Sequence, residues 1–89
     1  MHFEWDEEKR QQNLVKHRMD FLAATMVFDG RAAFSYTSRY DTEERLVTVA
    51  LIGPKLWAVV WMVRDENIRI ISVRRAWNVE ERKYRELFG

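Results

Sequence analysis

Leu56-Trp57-Ala58-Val59-Val60-Trp61-Met62-Val63, then Arg64-Asp65-Glu66-Asn67, then Ile68-Arg69-Ile70-Ile71-Ser72-Val73-Arg74-Arg75, is the stretch that decides the fold. The first run is apolar throughout, so a strand here is buried on both faces and central in its sheet. The last run sets Ile and Val between arginines in imperfect alternation, a strand whose cations sit on a rigid, largely buried scaffold. The polar residues between them form a turn, which makes the two strands antiparallel neighbours. Leu46 to Ile52 reads as a further strand, joined through Gly53-Pro54-Lys55. Ala33-Phe34-Ser35-Tyr36-Thr37 alternates like an edge strand, and Ser38 to Glu44 is polar enough for a loop.

Helices flank this sheet. Asp6 caps one from about Glu7 to His17, with Glu7 and Glu8 at its positive end and Lys16 and His17 at its negative end. Asp20 caps a second from Phe21 to Phe28, stopped by Asp29-Gly30. Asn78, with Glu81 three positions on, opens a third from Val79 to Leu87. The expectation is an α+β fold in a single domain over residues 1–89, with two N-terminal helices, an antiparallel meander sheet of three to four strands and a C-terminal helix. Three short helices leave one face of the central strand incompletely covered, a surface suited to a partner. Alternatively, the C-terminal helix and the loop containing Tyr40 close it.

The 89 residues carry a net charge of +1, with acidic residues crowding the start and basic ones the end. Only local clustering of cations could then support nucleic-acid binding. No apolar run is long enough to span a bilayer, and no signal peptide follows Met1, so a cytoplasmic protein without membrane contact is expected. The absence of Cys excludes disulfides, thiolate zinc sites and cysteine nucleophiles. Asp6-Glu7-Glu8 at a helix start is a capping feature, and no metal or other cofactor is expected.

Phe3-x-Trp5-Asp6-x-x-Lys9-x-x-x-Asn13-x-x-Lys16-His17, the helix Phe21 to Phe28, Glu44-Arg45, and Arg69-Ile70-Ile71-Ser72-x-Arg74-x-Ala76 with Glu81 and Tyr84 resemble the BrnT family of toxins. The resemblance implies a RelE-like fold, metal-free ribonuclease activity on an RNA substrate, and neutralisation by a BrnA antitoxin. It further implies that the toxin–antitoxin complex represses its own operator DNA. Arg18 stands where the family usually has Gly after the histidine, Ala50 where a strand glycine is common, and Trp61-Met62 in place of a more polar pair. The last two changes make the sheet more apolar.

Metal-free cleavage needs a proton acceptor for the 2′-hydroxyl, cations for the phosphorane and a donor for the leaving oxygen. Arg74, at a strand end, is the leading phosphate clamp; its structural alternative is an ion pair with Glu80 or Glu81. Arg69 lies an odd number of residues away, so in a regular strand it points to the opposite face and pairs with an N-terminal carboxylate, unless a bulge re-aims it. Arg64 is a phosphate contact on the strength of the resemblance, or a solvated turn residue. Tyr84 either donates a proton or packs its ring on the sheet. Glu44 is the candidate general base, or half of a salt bridge; His17 is an acid or base, or a helix cap. Arg45, Arg75, Arg82 and Lys83 are RNA-binding candidates, and Trp5 and Trp77 either stack on bases or pack. An amphipathic, acidic antitoxin segment would cross the sheet near Trp61-Met62 and meet Arg64, Arg74 and Arg75. The rival reading is a catalytically silent module that docks an acidic antitoxin-like partner and assists DNA repression.

Overall fold

The computed structural model describes residues 2–89, apart from the side chain of Tyr40 and with it any part that ring has in covering the sheet. Strand β1 (Phe3–Glu4) leads into helix α1 (Glu7–His17) and a single α-helical turn α2 (Phe21–Ala24), which tightens into a 3-10 turn over Thr25–Phe28. Strands β2 (Ala33–Tyr40), β3 (Glu43–Ile52), β4 (Lys55–Arg64) and β5 (Asn67–Arg75) follow, and helix α3 (Asn78–Phe88) ends the chain. The sheet order is β1-β5-β4-β3-β2, antiparallel except for the parallel pair β1–β5.

This corrects the sequence expectation on several points. The sheet is mixed and has five strands, because Phe3 and Glu4 pair with Ile68 and Arg69 in a strand too short to leave a periodic signal. There is one full N-terminal helix, since Phe21–Phe28 manages one α turn before the Thr25 hydroxyl donates to the Leu22 carbonyl and the chain tightens. Ser38 to Glu44 is mostly strand: β2 and β3 pair from Ala33↔Ala50 out to Tyr40↔Glu43, and their polar ends are the solvated tip of a long hairpin. α3 starts one residue early, with the Glu80 carboxylate accepting from the Trp77 N–H at 2.8 Å in place of an Asn78–Glu81 box. The Arg64–Asn67 turn holds: Asp65 and Glu66 have φ of 51° and 66°, as a two-residue hairpin turn of matching twist requires.

Each face of the sheet carries its own core. Trp57, Val59, Ile68, Ile70 and Val73 pack under α2 with Phe21, Ala24 and Val27, and Trp61 joins them edge-on to Phe28, its ring N–H on Thr48. On the other face Val47, Val49, Leu56 and Ala58 pack beneath α3 with Tyr84. That face is open beyond α3, where Val60 and Met62 are half-buried. The residue pair expected to thicken a greasy surface is therefore split, Trp61 inside one core and Met62 on the open half of the other face.

The apolar positions of β5 switch parity between Ile70 and Val73, and the reason is a bulge: Val60 pairs with Ser72 and Trp61 with Ile70, leaving Ile71 unpaired. Arg69, opposite Met62, and Arg74, opposite Ala58, consequently share the α3 face, against the parity expectation. They lie about 13 Å apart along the strand. Arg69 nonetheless pairs with an N-terminal carboxylate, Glu4 at 2.7 Å, and so ties β1 to the sheet.

β1 covers β5 only at Ile68 and Arg69, and α1 packs along the remaining edge. The buried side chain of Asn13 stands in for the missing strand: its Oδ1 accepts from the Val73 N–H and its Nδ2 donates to the Met19 carbonyl, both at 3.1 Å. Asn13→Ala orphans both backbone groups and should cost about 2 kcal/mol, lowering Tm by roughly 10 °C; an unchanged melt would refute this role. Arg18 closes α1 in the left-handed region at φ 58°, its N–H on the Leu14 carbonyl at 2.9 Å. Arg18→Gly relieves that strain and should stabilise the fold by about 1 kcal/mol in urea titrations.

Candidate active site: a cationic cleft beside the open sheet face

Lys9, Gln12, Asn13 and Lys16 recur at helical spacing along one side of α1, next to the bulged edge of β5. With His17, Arg45, Ile71, Ser72 and Arg74 they line a cleft of about 380 Å³. The bulge helps to build it, because it turns Ser72 and Arg74 to the α3 face, where strand alternation also puts Arg45. Arg45 is held at 2.9 Å from Glu43.

Arg74 is fixed more firmly than any other cleft cation. Its Nη1 and Nη2 donate to the two carboxylate oxygens of Glu80 at 2.7 and 2.9 Å, and its guanidinium carbon lies 3.5 Å from the centre of the Trp77 ring. Glu80, 4% exposed, also accepts from the Tyr36 hydroxyl and the Trp77 N–H. Burial pushes its carboxyl up, but the bonds from Arg74, Tyr36 and Trp77 outweigh that and hold it below the usual carboxylate range. Burial and the Glu80 bond together push the Tyr36 phenol up. The ion-pair alternative for Arg74 is thus realised with Glu80; Glu81 lies instead 3.9 Å from Arg75.

His17 loses proton affinity in the cleft, first through burial and then through the charges of Lys16 and Arg74. Its imidazole is neutral at pH 7, and acidification through the ordinary histidine range favours the unfolded chain, which binds the proton first.

The remaining sequence candidates lie elsewhere. Glu44 points to the opposite face of β3 from Arg45, beside Arg39 at 3.8 Å, so alternation removes it from the cleft. Arg64 is at the far end of β4, about 20 Å along the strand from the Arg74 row. Tyr84 is buried in the α3 core, its ring 4.8 Å from that of Phe88 and its hydroxyl reaching the Ala32 carbonyl at 3.4 Å. Arg75 faces the α2 side over the Trp57 ring, so no segment crossing one face meets Arg64, Arg74 and Arg75 together. Arg82 and Lys83 are exposed on α3, and Lys83 lines a different groove. Trp5 packs edge-on to Phe21, and Trp77 stacks on Arg74 while remaining 58% exposed. Sequence reasoning offered Glu80 as a partner of Arg74 but missed Lys9 and Lys16 as cleft residues, whose helical spacing was legible, and Tyr36, which is distant from Glu80 in sequence and meets it only through folding.

The family model for the ribonuclease toxin BrnT of type II toxin–antitoxin systems matches residues 5–80. The chain belongs to the BrnT family. No curated protein matches it. The matched span of this BrnT chain takes in the α1 wall of the cleft, β5 and Glu80. Membership makes it a ribonuclease toxin whose partner is an antitoxin protein. No helix of the described residues is long and apolar enough to cross a membrane, and among them no group of three or more His, Asp or Glu side chains could hold a metal ion.

Removing either half of the Arg74–Glu80 pair strands a buried charge, so Arg74→Met and Glu80→Leu should each cost about 3 kcal/mol. The double variant should cost clearly less than their sum in urea unfolding. Additive losses would mean that the pair does not act as a unit.

Proposed function

We propose that this toxin cleaves RNA in the cleft between α1 and β5, without a metal ion, and that a BrnA-like antitoxin neutralises it. The observation that carries this reading is the convergence of Lys9, Lys16, Arg45 and Arg74 around a histidine held neutral. The neutral His17 takes the proton of the 2′-hydroxyl, whose oxygen attacks the adjacent phosphorus. Arg74 uses Nη1 and Nη2 on Glu80, and its Nε–H, without a partner among the described residues, donates to the phosphorane. Lys9 and Arg45 hold flanking phosphates, and Lys16 supplies a proton to the departing 5′-oxygen. The products are a 2′,3′-cyclic phosphate and a 5′-hydroxyl. Operator DNA is contacted only in the complex with the antitoxin.

The rival reading, a silent binding module, draws on the neutralisation of Arg74 by Glu80 and on the absence of Glu44 from the cleft. One experiment separates the two. The purified chain should cleave single-stranded RNA in excess EDTA, with an acid limb in kcat/KM whose midpoint lies below the ordinary histidine value of about 6.5. His17→Gln should remove that limb and lower the rate at least about 100-fold. A folded wild-type chain that binds RNA without cutting it establishes the rival, and a His17→Gln protein with the wild-type profile removes His17 from the mechanism.

A further inference from the structure

A second concavity lies on the same α3 face as the cationic cleft, between β2 and α3. It has a volume of about 480 Å³ and is lined by Phe34, Ser35, Tyr36, Trp77, Val79, Glu80 and Lys83. Its long wall is β2, the outermost strand, which pairs with β3 on one side and has no neighbouring strand on the other among the described residues. Every second residue of such a strand turns its N–H and C=O to solvent.

Proteins usually blunt an exposed edge with proline, inward charge or a very short strand. β2 has none of these along Ala33–Ser38: it is eight residues long, contains no proline, and carries its one charge, Arg39, near the hairpin tip. The side chains next to the edge are apolar and exposed, Trp77 at 58% and Val79 at 63%. Lys83 on the rim makes no ion pair among the described residues, whereas Glu80 on the floor is committed to Arg74, Tyr36 and Trp77.

We infer that this groove and the free edge of β2 form the docking site for the antitoxin, which adds an extended segment as a sixth strand, seats alternate apolar side chains between β2 and α3, and sets a carboxylate on Lys83. The inference rests on the family's protein partner and is independent of where RNA is cut. The strand edge calls for a strand, the apolar lining for alternate apolar side chains, and the unpaired ammonium for an acid. A second copy of this chain fits less well. The β2 side chains it would offer on this face are engaged at home, Phe34 in the α3 core and Tyr36 on its own Glu80.

The site also explains how docking would reach the cleft. Trp77 and Glu80, which hold Arg74, form part of the groove, so an occupant presses on the supports of the cleft's most tightly held cation.

The test uses the full chain with the purified product of the adjacent reading frame as the antitoxin probe. Val79→Asp places a carboxylate in the first turn of α3, where the helix dipole tolerates it, at a residue that does not line the cleft. It should leave Tm and RNA cleavage of the free toxin unchanged while weakening the complex at least tenfold. Lys83→Glu should weaken it more at low salt than at high salt. Amide exchange should slow along β2 on binding, the mark of a paired edge. Wild-type affinity in Val79→Asp, no slowing in β2, or no complex with the wild-type chain each overturns the inference. A homodimer of the free chain that Val79→Asp dissolves overturns it in favour of self-association. Loss of RNA cleavage is read separately, on the free toxin, and bears only on the cleft.

Discussion

The fold around the candidate site depends on one buried carboxylate. Glu80 gathers the guanidinium of Arg74 from β5, the hydroxyl of Tyr36 from β2 and the N–H of Trp77 at the start of α3. β2 is adjacent to neither β5 in the sheet nor α3 in the chain, so one side chain ties α3 across the face to both strands. A carboxylate this well bonded stays ionised despite its burial, and an ionised Glu80 in turn keeps Arg74 from wandering. The cost is that the cation best placed for phosphate is already half neutralised. A catalytic role for it has to use the edge of the guanidinium that the pair leaves over.

Asn13 does a similar service at the other side of the cleft. An amide is chosen there because the position needs one acceptor and one donor, for the Val73 N–H and the Met19 carbonyl. α1 is thereby fixed with little apolar burial of its own: Asn13 is its buried residue, while Leu14 and Val15 remain exposed. A helix held by polar contacts can keep its cationic side turned to the cleft. That trade, stability for charge, fits an RNA-cutting surface.

The two concavities share supports without sharing linings. The cationic cleft is polar and floored by the bulge, and the groove beside β2 is apolar and floored by the α3 core. Arg74 lines one and its partner Glu80 the other. The contiguous pair of Arg74 and Glu80 is thus the physical link between the apolar groove and the cationic cleft.

Much of this was legible in the sequence. The all-apolar run Leu56–Val63 dictates a central strand, the Asp6 and Asp20 caps dictate where α1 and α2 begin, and the turn residues at 53–54 and 65–66 set the hairpins, because these are local effects of burial, capping and backbone freedom. The doubled Ile70-Ile71 even carried the trace of the bulge. The tertiary structure alone decided which cations meet. Arg69 and Arg74 share a face only because Ile71 drops out of the pairing, Glu44 and Arg45 part because strands alternate, and Glu80 rather than Glu81 takes Arg74 because α3 starts one residue early. Each of these turns on a shift of a single residue, which leaves hydrophobic pattern and propensity almost unchanged and reverses the direction of a side chain.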